Sequence, residues 1–131
     1  MLTFASRSCA RPCHYESESV YLRHILECIR RLEEDVAGGR EGFLASHTVQ
    51  DAVLRNLETM AESTQRLSDS LKATQPLVEW HRIGAFRNLL VHNYLGIDLN
   101  VVWEIVERDV PELKRATLET LDYLEGNGSP N

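Results

Sequence analysis

The amino-acid sequence predicts an all-α domain, an antiparallel four-helix bundle with one or two short extra helices. Apolar residues recur three or four positions apart through several stretches, which is typical of helices with one buried face. No stretch alternates strictly between apolar and polar residues, as a half-buried strand would. The connections are short, and short connections favour antiparallel neighbours. At 131 residues the chain is sized for one domain.

The first helical stretch begins at Val20, where apolar residues lie about four positions apart with charged residues between them. Gly38 and Gly39 are expected to end it, because glycine readily adopts the left-handed conformation that closes many helices. The segment 41–46 that follows is too short to classify by periodicity and is either a connecting turn or a short helix. The predicted buried face of the first helix comprises Val20, Ile25, Ile29, Leu32 and Val36.

The second stretch runs from Thr48 to Pro76 without an intervening glycine or proline, and we expect it to be the longest helix. Pro76 starts a third stretch, which Gly96 is expected to end. Trp80, in this stretch, and Trp103 are interpreted as core anchors. The residues predicted to lie on or near one face of this third stretch are Leu77, Trp80, Ile83, Gly84, Val91 and Leu95.

Asp98 and Pro111 mark the last two helices. Asp98 can cap a short helix, because its carboxylate can accept a bond from a free N–H of the first turn. Pro111 is then expected to start a final amphipathic helix. The apolar residues of this final helix are Leu113, Leu118, Leu121 and Leu124.

The helical domain is predicted to span residues 17–125, between a poorly ordered tail at residues 1–16 and a polar tail at residues 126–131. No apolar run approaches the length of about 20 residues needed to cross a bilayer. Residues 1–15 contain Arg7 and Arg11 but no apolar block, so a secretory signal is not expected. We therefore expect a cytoplasmic protein without membrane association.

Cys9, Cys13 and Cys28 make an odd number of cysteines, which favours free thiols over a disulfide framework. Cys9 and Cys13 lie near His14, but a zinc site needs four ligands at typical spacings, and no second pair is present. We predict no metal and no cofactor. The net charge of −6 disfavours nonspecific nucleic-acid binding, so any contact with RNA has to be local.

Residues 87–94 combine an arginine, asparagines, a histidine and a tyrosine in an otherwise aliphatic stretch. The planar guanidinium of Arg87 fits phosphate oxygens, and the imidazole of His92 can move protons near neutral pH. Together they suit phosphodiester chemistry. The alternative is structural: an arginine and a histidine near a helix end often cap carbonyls or pair with surface acids, and Tyr94 would then be an aromatic residue at the core edge.

Helix geometry constrains these residues. Arg87 and Tyr94 are seven positions apart and would share a face of a regular helix. His92 would point about 140° away from Arg87 on such a helix, so the two cannot converge. Either the helix is irregular near residues 91–93, or the site combines residues from two copies of the chain.

The segment resembles the motif of the HepT-like branch of the HEPN superfamily, in which an arginine, four other residues, a histidine, one further residue and a tyrosine follow in order. The similarity spans about residues 20–124. It includes the surrounding segments 21–26, 50–53, 55–57, 61–62 and 96–99, together with Trp80, Trp103 and residues 109–111.

This resemblance implies a homodimer in which the motifs of both protomers form one cleft. It implies a metal-independent ribonuclease that leaves a 2′,3′-cyclic phosphate on its RNA substrate. His92 would be the general acid or base, Arg87 would stabilise the charged transition state, and Asn88 would orient one of them. Asp51 is a possible neighbour of the cleft.

The resemblance also implies that the chain is the toxin of a type VII-like toxin–antitoxin system. Its partner would be a minimal, MntA-like nucleotidyltransferase antitoxin that adenylylates Tyr94. The chain would form a homodimer or, together with the antitoxin, a larger hetero-oligomer. The added bulk and negative charge would oppose RNA binding. The alternative is a non-catalytic helical module that docks or binds nucleotide beside a nucleotidyltransferase.

The remaining polar residues have ordinary explanations. Glu62 is expected to face solvent or to pair with an arginine such as Arg66, and it is not counted as catalytic. The histidines His24, His47 and His81 are expected at the surface or its boundary.

Overall fold

The computed structural model describes the backbone of residues 10–126 and the side chains of residues 18–126. All regular secondary structure in that part of the chain is helical, so the predicted all-α class is confirmed. A 3₁₀ turn spans Tyr94–Gly96, and a π-helical segment spans Ile105–Asp109. The α-helices are α1 (Ala10–Asp35), α2 (Gly39–Ala45), α3 (His47–Gln65), α4 (Asp69–Ala73), α5 (Trp80–His92), α6 (Leu99–Glu104) and α7 (Val110–Leu124).

Helices α1 and α3 pack side by side and run in opposite directions. His24 Nδ1 lies 2.6 Å from Ser63 Oγ. Farther along α1, Asp35 Oδ2 accepts a hydrogen bond from Asn56 Nδ2 at 3.0 Å. A later residue on α1 thus meets an earlier residue on α3, which makes the pair antiparallel.

Helices α1 and α7 are also antiparallel. Lys114 Nζ donates to Glu33 Oε2 at 2.8 Å, and Arg23 forms an ion pair with Glu125. The later residue on α7 again meets the earlier one on α1. Both pairs agree with the direction predicted for a bundle, while a closed four-helix arrangement and a dimer stay predictions.

Helix α1 begins at Ala10 rather than at Val20. Val20 is 62% exposed, so its predicted place on the buried face is wrong. Five positions on a helix correspond to a rotation of about 140°, which turns Val20 away from the face of Ile25. The turn after α1 contains the predicted glycine signal, with Gly39 at φ 74°. The residues that α1 buries in the core are Leu22, Ile25, Cys28, Ile29 and Leu32.

The stretch predicted as the longest helix is divided in two. Helix α3 ends at Gln65 and has 19 residues, whereas α1 has 26. Ser68 then caps α4, because its Oγ accepts a bond from the N–H of Leu71 at 3.2 Å. A serine therefore separates the two helices, although no glycine or proline marks the boundary.

Helix α5 buries a different face from the one predicted. Leu77 precedes the helix and is 72% exposed, and Leu95 follows it and is 99% exposed. Val91 lies about 100° around the helix from the buried Leu90, and it is exposed as well. The prediction was wrong for Leu77 and Leu95 because it extended one helical pattern beyond both ends of α5, and it was wrong for Val91 because that residue points away from the buried face. The buried residues of α5 are Ile83, Phe86 and Leu90.

Asp98 caps α6 as predicted, since its carboxylate accepts a bond from the N–H of Asn100 at 2.9 Å. Pro111 lies in the first turn of α7, but it does not start a separate helix. The N–H of Val110 donates to the carbonyl of Ile105, five residues earlier. A proline ring crowds the carbonyl four residues before it, and the wider π turn accommodates Pro111 within one continuous helical segment.

Aromatic residues join the short helices to the core. Phe43 of α2 is fully buried, and its ring lies 5.5 Å from that of Trp103, so the predicted core role of Trp103 is confirmed. Trp80 is half-buried, and its Nε1 donates to the carbonyl of Lys72 at 3.1 Å. The segment 41–46, which periodicity left unassigned, forms most of α2.

The predicted N-terminal tail, residues 1–16, overlaps α1 from Ala10 onward. Cys9 and the side chain of Cys13 lie outside the described residues, whereas Cys28 is buried and unpaired. Burial is the main reason that the pKa of the Cys28 thiol is raised. No helix in residues 10–126 has the length and apolar character needed to span a membrane.

Candidate active site at the end of α5

Helix α5 ends at His92, two residues before Tyr94. Asn93 has φ −142° and ψ 44°, outside the helical region, and its N–H donates to the carbonyl of Leu89 at 2.8 Å. Tyr94 begins the 3₁₀ turn that Gly96 closes. A β-carbon at Gly96 would lie 2.9 Å from Asn93 Oδ1, so a larger residue there would displace the Asn93 side chain.

This break changes the geometry predicted for the motif. The expectation that Arg87 and Tyr94 share a helix face is wrong, because it assumed one continuous helix and α5 does not extend to Tyr94. The predicted irregularity exists at Asn93, but His92 itself remains helical. Arg87 and His92 therefore keep an angular offset of about 140° within one protomer.

Arg87 is held by a residue of α3. Its Nε donates to Glu62 Oε1 at 2.9 Å, and its Nη1 donates to Asn88 Oδ1 at 3.2 Å. No other hydrogen bond of the guanidinium is formed within residues 18–126. Glu62 and Asn88 thus orient the guanidinium through its Nε and Nη1 atoms, and Nη2 can donate to a ligand.

Glu62 is a residue of the candidate site that the sequence-based prediction did not select. It pairs with an arginine as expected, but the partner is Arg87 rather than the suggested Arg66, because Arg66 turns toward α1. There the guanidinium lies 5.8 Å from the ring centre of Tyr21, and its Nη1 donates to the Tyr21 hydroxyl at 3.4 Å. Glu62 faces α5 and binds Arg87, the first residue of the motif.

One helix face of α3 explains this contact. Positions 51, 55, 58 and 62 lie within a sector of about 60° on a regular helix. They place Asp51, Arg55, Glu58 and Glu62 in one row, in which Glu62 binds the motif arginine. This spacing is visible in the sequence and was the signal that could have identified Glu62 in advance.

Tyr94 lies against the other end of that row. Its side chain is partly accessible, and 43% of the residue is exposed. The pKa of the Tyr94 hydroxyl is raised, first by burial, then by the negative charges of Asp51 and Glu58 and by a hydrogen bond with Asp51. Asp51, expected only as a neighbour of the cleft, therefore lies close enough to Tyr94 for its charge to act on the hydroxyl.

His92 is exposed, and its imidazole forms no hydrogen bond with any residue in the range 18–126. Asn88 is also exposed, and its amide oxygen is the acceptor for Arg87. The structure therefore brings Arg87, Asn88 and Glu62 together, and separately Tyr94, Asp51 and Glu58. His92 joins neither group through a hydrogen bond or an ion pair in the described part of one protomer.

Residues 25–120 match the model of the protein family described as Ribonuclease HepT-like. The chain belongs to this HepT-like family. The matched range contains both groups of side chains and His92. The membership that the motif and its surroundings indicated is therefore confirmed.

Curated relatives of this HepT-like chain are named as ribonucleases. The "Probable ribonuclease HepT" of Thermococcus cleftensis is 34% identical over 99 residues, which cover 75% of the chain and 90% of the relative. The "Putative RNase" of Caldanaerobacter subterraneus subsp. tengcongensis is 31% identical over 102 residues, or 77% of the chain and 91% of the relative.

A longer relative occurs in Methanocaldococcus jannaschii and is named "Gamma-glutamylcyclotransferase and putative RNase". It is 34% identical over 109 residues, which cover 82% of the HepT-like chain and 49% of the relative. The chain thus spans about half of that protein and nearly all of the T. cleftensis one. No solved structure matches the chain.

Proposed function

We propose that the chain is a metal-independent endoribonuclease and the toxin of a type VII-like toxin–antitoxin pair. The observation that supports this most directly is the contact of Glu62 with Arg87, which orients the motif arginine near the end of α5. The exposed imidazole of His92 follows in the last turn of the same helix. The ribonuclease names of the relatives agree with phosphodiester chemistry at these residues.

In the proposed reaction, the ribose 2′-oxygen forms a bond to the adjacent phosphorus while the bond from phosphorus to the 5′-oxygen breaks. A 2′,3′-cyclic phosphate and a free 5′-hydroxyl result. His92 accepts the proton of the 2′-hydroxyl or donates one to the departing 5′-oxygen. Arg87 stabilises the additional negative charge on the phosphate oxygens, and Asn88 helps to hold the guanidinium in place.

The site is proposed to be completed in a homodimer. Beside the motif, the end of α5 and the following turn expose four apolar or aromatic side chains. Such a grouping often marks an interaction surface. Two copies of Arg87 and His92 would meet in one cleft, with one imidazole for each proton transfer. The exposed residues are Leu89, Val91, Tyr94 and Leu95.

The activity is proposed to be silenced by modification of Tyr94. An MntA-like minimal nucleotidyltransferase antitoxin would transfer adenylyl groups to the hydroxyl, alone or within a larger hetero-oligomer. Tyr94 is partly accessible and lies two residues beyond His92. The bulk and negative charge of the adenylyl group would oppose the approach of an RNA phosphate.

The nuclease activity can be tested with purified chain, RNA and a chelator. We expect cleavage with cyclic phosphate ends, and we expect it to be lost in Arg87→Ala and in His92→Ala. The matched controls are Arg108→Ala and His81→Ala, which alter exposed residues outside the site. Cleavage by His92→Ala at the wild-type rate would exclude the assigned role of His92.

A non-catalytic docking or nucleotide-binding module is the second candidate. The net charge of −6 and the carboxylates of Asp51 and Glu58 beside Tyr94 favour it, because they repel RNA phosphates. Co-expression with a nucleotidyltransferase encoded by a neighbouring gene distinguishes the two candidates. The toxin hypothesis predicts slowed growth without the partner and adenylyl increments on Tyr94 with it. A chain that is neither toxic nor modified would favour the docking module.

A further inference from the structure

Helix α3 carries an arginine, Arg55, on the side that holds Arg87. Glu62 binds Arg87 at 2.9 Å, and Arg55 lies seven positions before Glu62 on the same helix. Seven positions are about 20° short of two full turns, so the side chains of Arg55 and Glu62 leave α3 in nearly the same direction. Arg55 is therefore on the side of α3 that binds the motif arginine.

Two contacts show that α3 and α5 run in opposite directions. A β-carbon at Gly84, in the second turn of α5, would lie 3.2 Å from Nε2 of Gln65, the last residue of α3. Three residues later on α5, Arg87 binds Glu62, which lies three residues earlier on α3. The direction from Arg87 toward the end of α5 is therefore also the direction from Glu62 toward Arg55.

Arg55 and His92 lie at similar positions along the two paired helices. The distance along the helix axis is about 10 Å from Glu62 to Arg55 and about 7.5 Å from Arg87 to His92. Helix α5 ends at His92 and so does not extend over Arg55, which is exposed. The guanidinium of Arg55 thus faces solvent beside the last turn of α5.

Arg55 has no partner among residues 18–126. Asp51 lies four positions before it and Glu58 three positions after it, at spacings that allow ion pairs on a helix. In that part of the chain, however, Arg55 forms no hydrogen bond, ion pair or ring contact. An exposed guanidinium in this state keeps its charge and its planar set of donors for an anion, and phosphate is the anion that fits them bidentately.

We propose that Arg55 binds a phosphate of the RNA strand that neighbours the phosphate being cleaved. This inference rests on the proposed function, since it concerns how that site holds its substrate. Arg87, oriented by Glu62, stabilises the reacting phosphate, while Arg55 holds the strand beside the last turn of α5. Arg55 is thus a substrate-binding residue and takes no part in proton transfer at His92.

A local cation also explains how an acidic chain can hold RNA at this place. The net charge of −6 requires that contacts with RNA are local. Asp51 and Glu58 repel phosphates on either side of Arg55, and the guanidinium offsets part of that repulsion. Burial, followed by the charges of Asp51 and Glu58, raises the pKa of the Tyr94 hydroxyl, which agrees with a tyrosine near this part of α3. An adenylyl phosphate on Tyr94 would then compete with RNA for Arg55.

The test measures RNA binding and RNA cleavage with the full-length chain. Binding is measured in the His92→Ala background, in which the RNA stays intact, at several salt concentrations. We expect Arg55→Gln to weaken binding by about tenfold. We expect the slope of log Kd against log salt concentration to fall by about 0.7, the value for one contact with a single strand. Arg55→Lys keeps the charge and should retain that slope.

Cleavage kinetics show whether Arg55 acts on binding or on chemistry. With His92 intact, Arg55→Gln should raise KM by about tenfold and leave kcat within about twofold, because the contact is the same before and during the reaction. A fall in kcat at unchanged KM would overturn the binding role. Arg55 is exposed, so its variants should melt at the wild-type temperature.

Arg66→Gln is the matched control, because it removes an equal charge just after α3, on the side that faces α1. Its KM and salt slope should stay close to those of the wild-type chain. Equal changes in Arg55→Gln and Arg66→Gln, or no change in either, would overturn the role of Arg55 and leave the proposed function intact. A wild-type chain that does not cleave RNA would overturn both.

Discussion

Arg87 is oriented by a partly exposed ion pair. The side chains of Arg87 and Glu62 are 30% and 44% exposed, and pairs in such surroundings contribute only about 0–1 kcal/mol to stability. The contact therefore matters mainly because it orients the guanidinium of Arg87, a planar group that must bind a phosphate in the proposed reaction. The same residue can thus matter strongly for chemistry and little for folding.

Glu62→Gln tests this separation of roles. The amide can still accept one bond from Arg87, but it loses the negative charge that strengthens the contact. We expect kcat/KM for RNA cleavage to fall by about tenfold to 100-fold. We expect the free energy of unfolding to change by less than ~1 kcal/mol. Cleavage kinetics and urea denaturation measure the two quantities.

Glu58→Gln is the control for Glu62→Gln, because it removes an equal charge one turn away on the same face of α3. Its effect on cleavage should be smaller, since Glu58 does not bind Arg87. Equal loss of activity in both variants would mean that only the overall charge of this face matters, and it would contradict an orienting role for Glu62.

At the scale of the helices, polar side chains decide where elements begin and how they join. Ser46 accepts a bond from the N–H of Val49 at 3.2 Å and starts α3, and Ser68 starts α4. Ser68 is in turn held by the buried Glu18 of α1, whose carboxylate accepts bonds from its N–H at 2.9 Å and its hydroxyl at 2.8 Å. These bonds attach the junction of α3 and α4 to the first helix.

Glu18→Ala should weaken this junction. The substitution leaves the N–H of Ser68 without its acceptor, and a hydrogen bond to a charged group contributes roughly 1.5–3 kcal/mol. We expect a loss of about 2 kcal/mol in the free energy of unfolding, measured by urea denaturation. The exposed carboxylate of Asp122 provides the control, since Asp122→Ala should change stability by no more than ~0.5 kcal/mol. Equal stability of both variants would refute this role of Glu18.

At the scale of the whole molecule, the proposed composite site needs two protomers. Arg87 and His92 remain on different sides of α5, and exposed apolar side chains lie beside them. Leu95 is 99% exposed and lies just beyond the motif. A dimer that covers this surface would remove apolar area from water and would also supply the missing half of the site.

Leu95→Glu should prevent this association, because it places a charge in an apolar interface. We expect a monomer by light scattering and a loss of RNA cleavage. Leu77→Glu is the matched control, since Leu77 is also exposed but precedes the other end of α5. A Leu95→Glu protein that remains dimeric and active would exclude this surface as the interface.

The same dimer can be tested by mixing two inactive variants. A mixture of Arg87→Ala and His92→Ala protomers contains dimers with one intact copy of each residue. Part of the activity should return on mixing if the site is composite. Failure to recover any activity, with subunit exchange verified by mass, would exclude a site for which one arginine and one histidine from different protomers suffice.

Sequence patterns were enough to predict the all-α class, the glycine turn after the first helix, the cap at Asp98 and the family motif with its surroundings. These features depend on local spacing and local hydrogen bonds, which a single chain segment specifies. The positions of Arg87, His92 and Tyr94 along the chain were also enough to indicate that one regular helix could not assemble the site.

The packing of the helices selects the partners of the motif residues. Glu62 lies 25 positions before Arg87, and its choice of Arg87 over Arg66 depends on how α3 packs against α5. The effect of Asp51 on the pKa of Tyr94 depends on the same packing and on the helix break at Asn93. The buried face of α5 likewise followed from where the helix ends. Such choices arise from contacts between distant segments, and periodicity within one segment does not encode them.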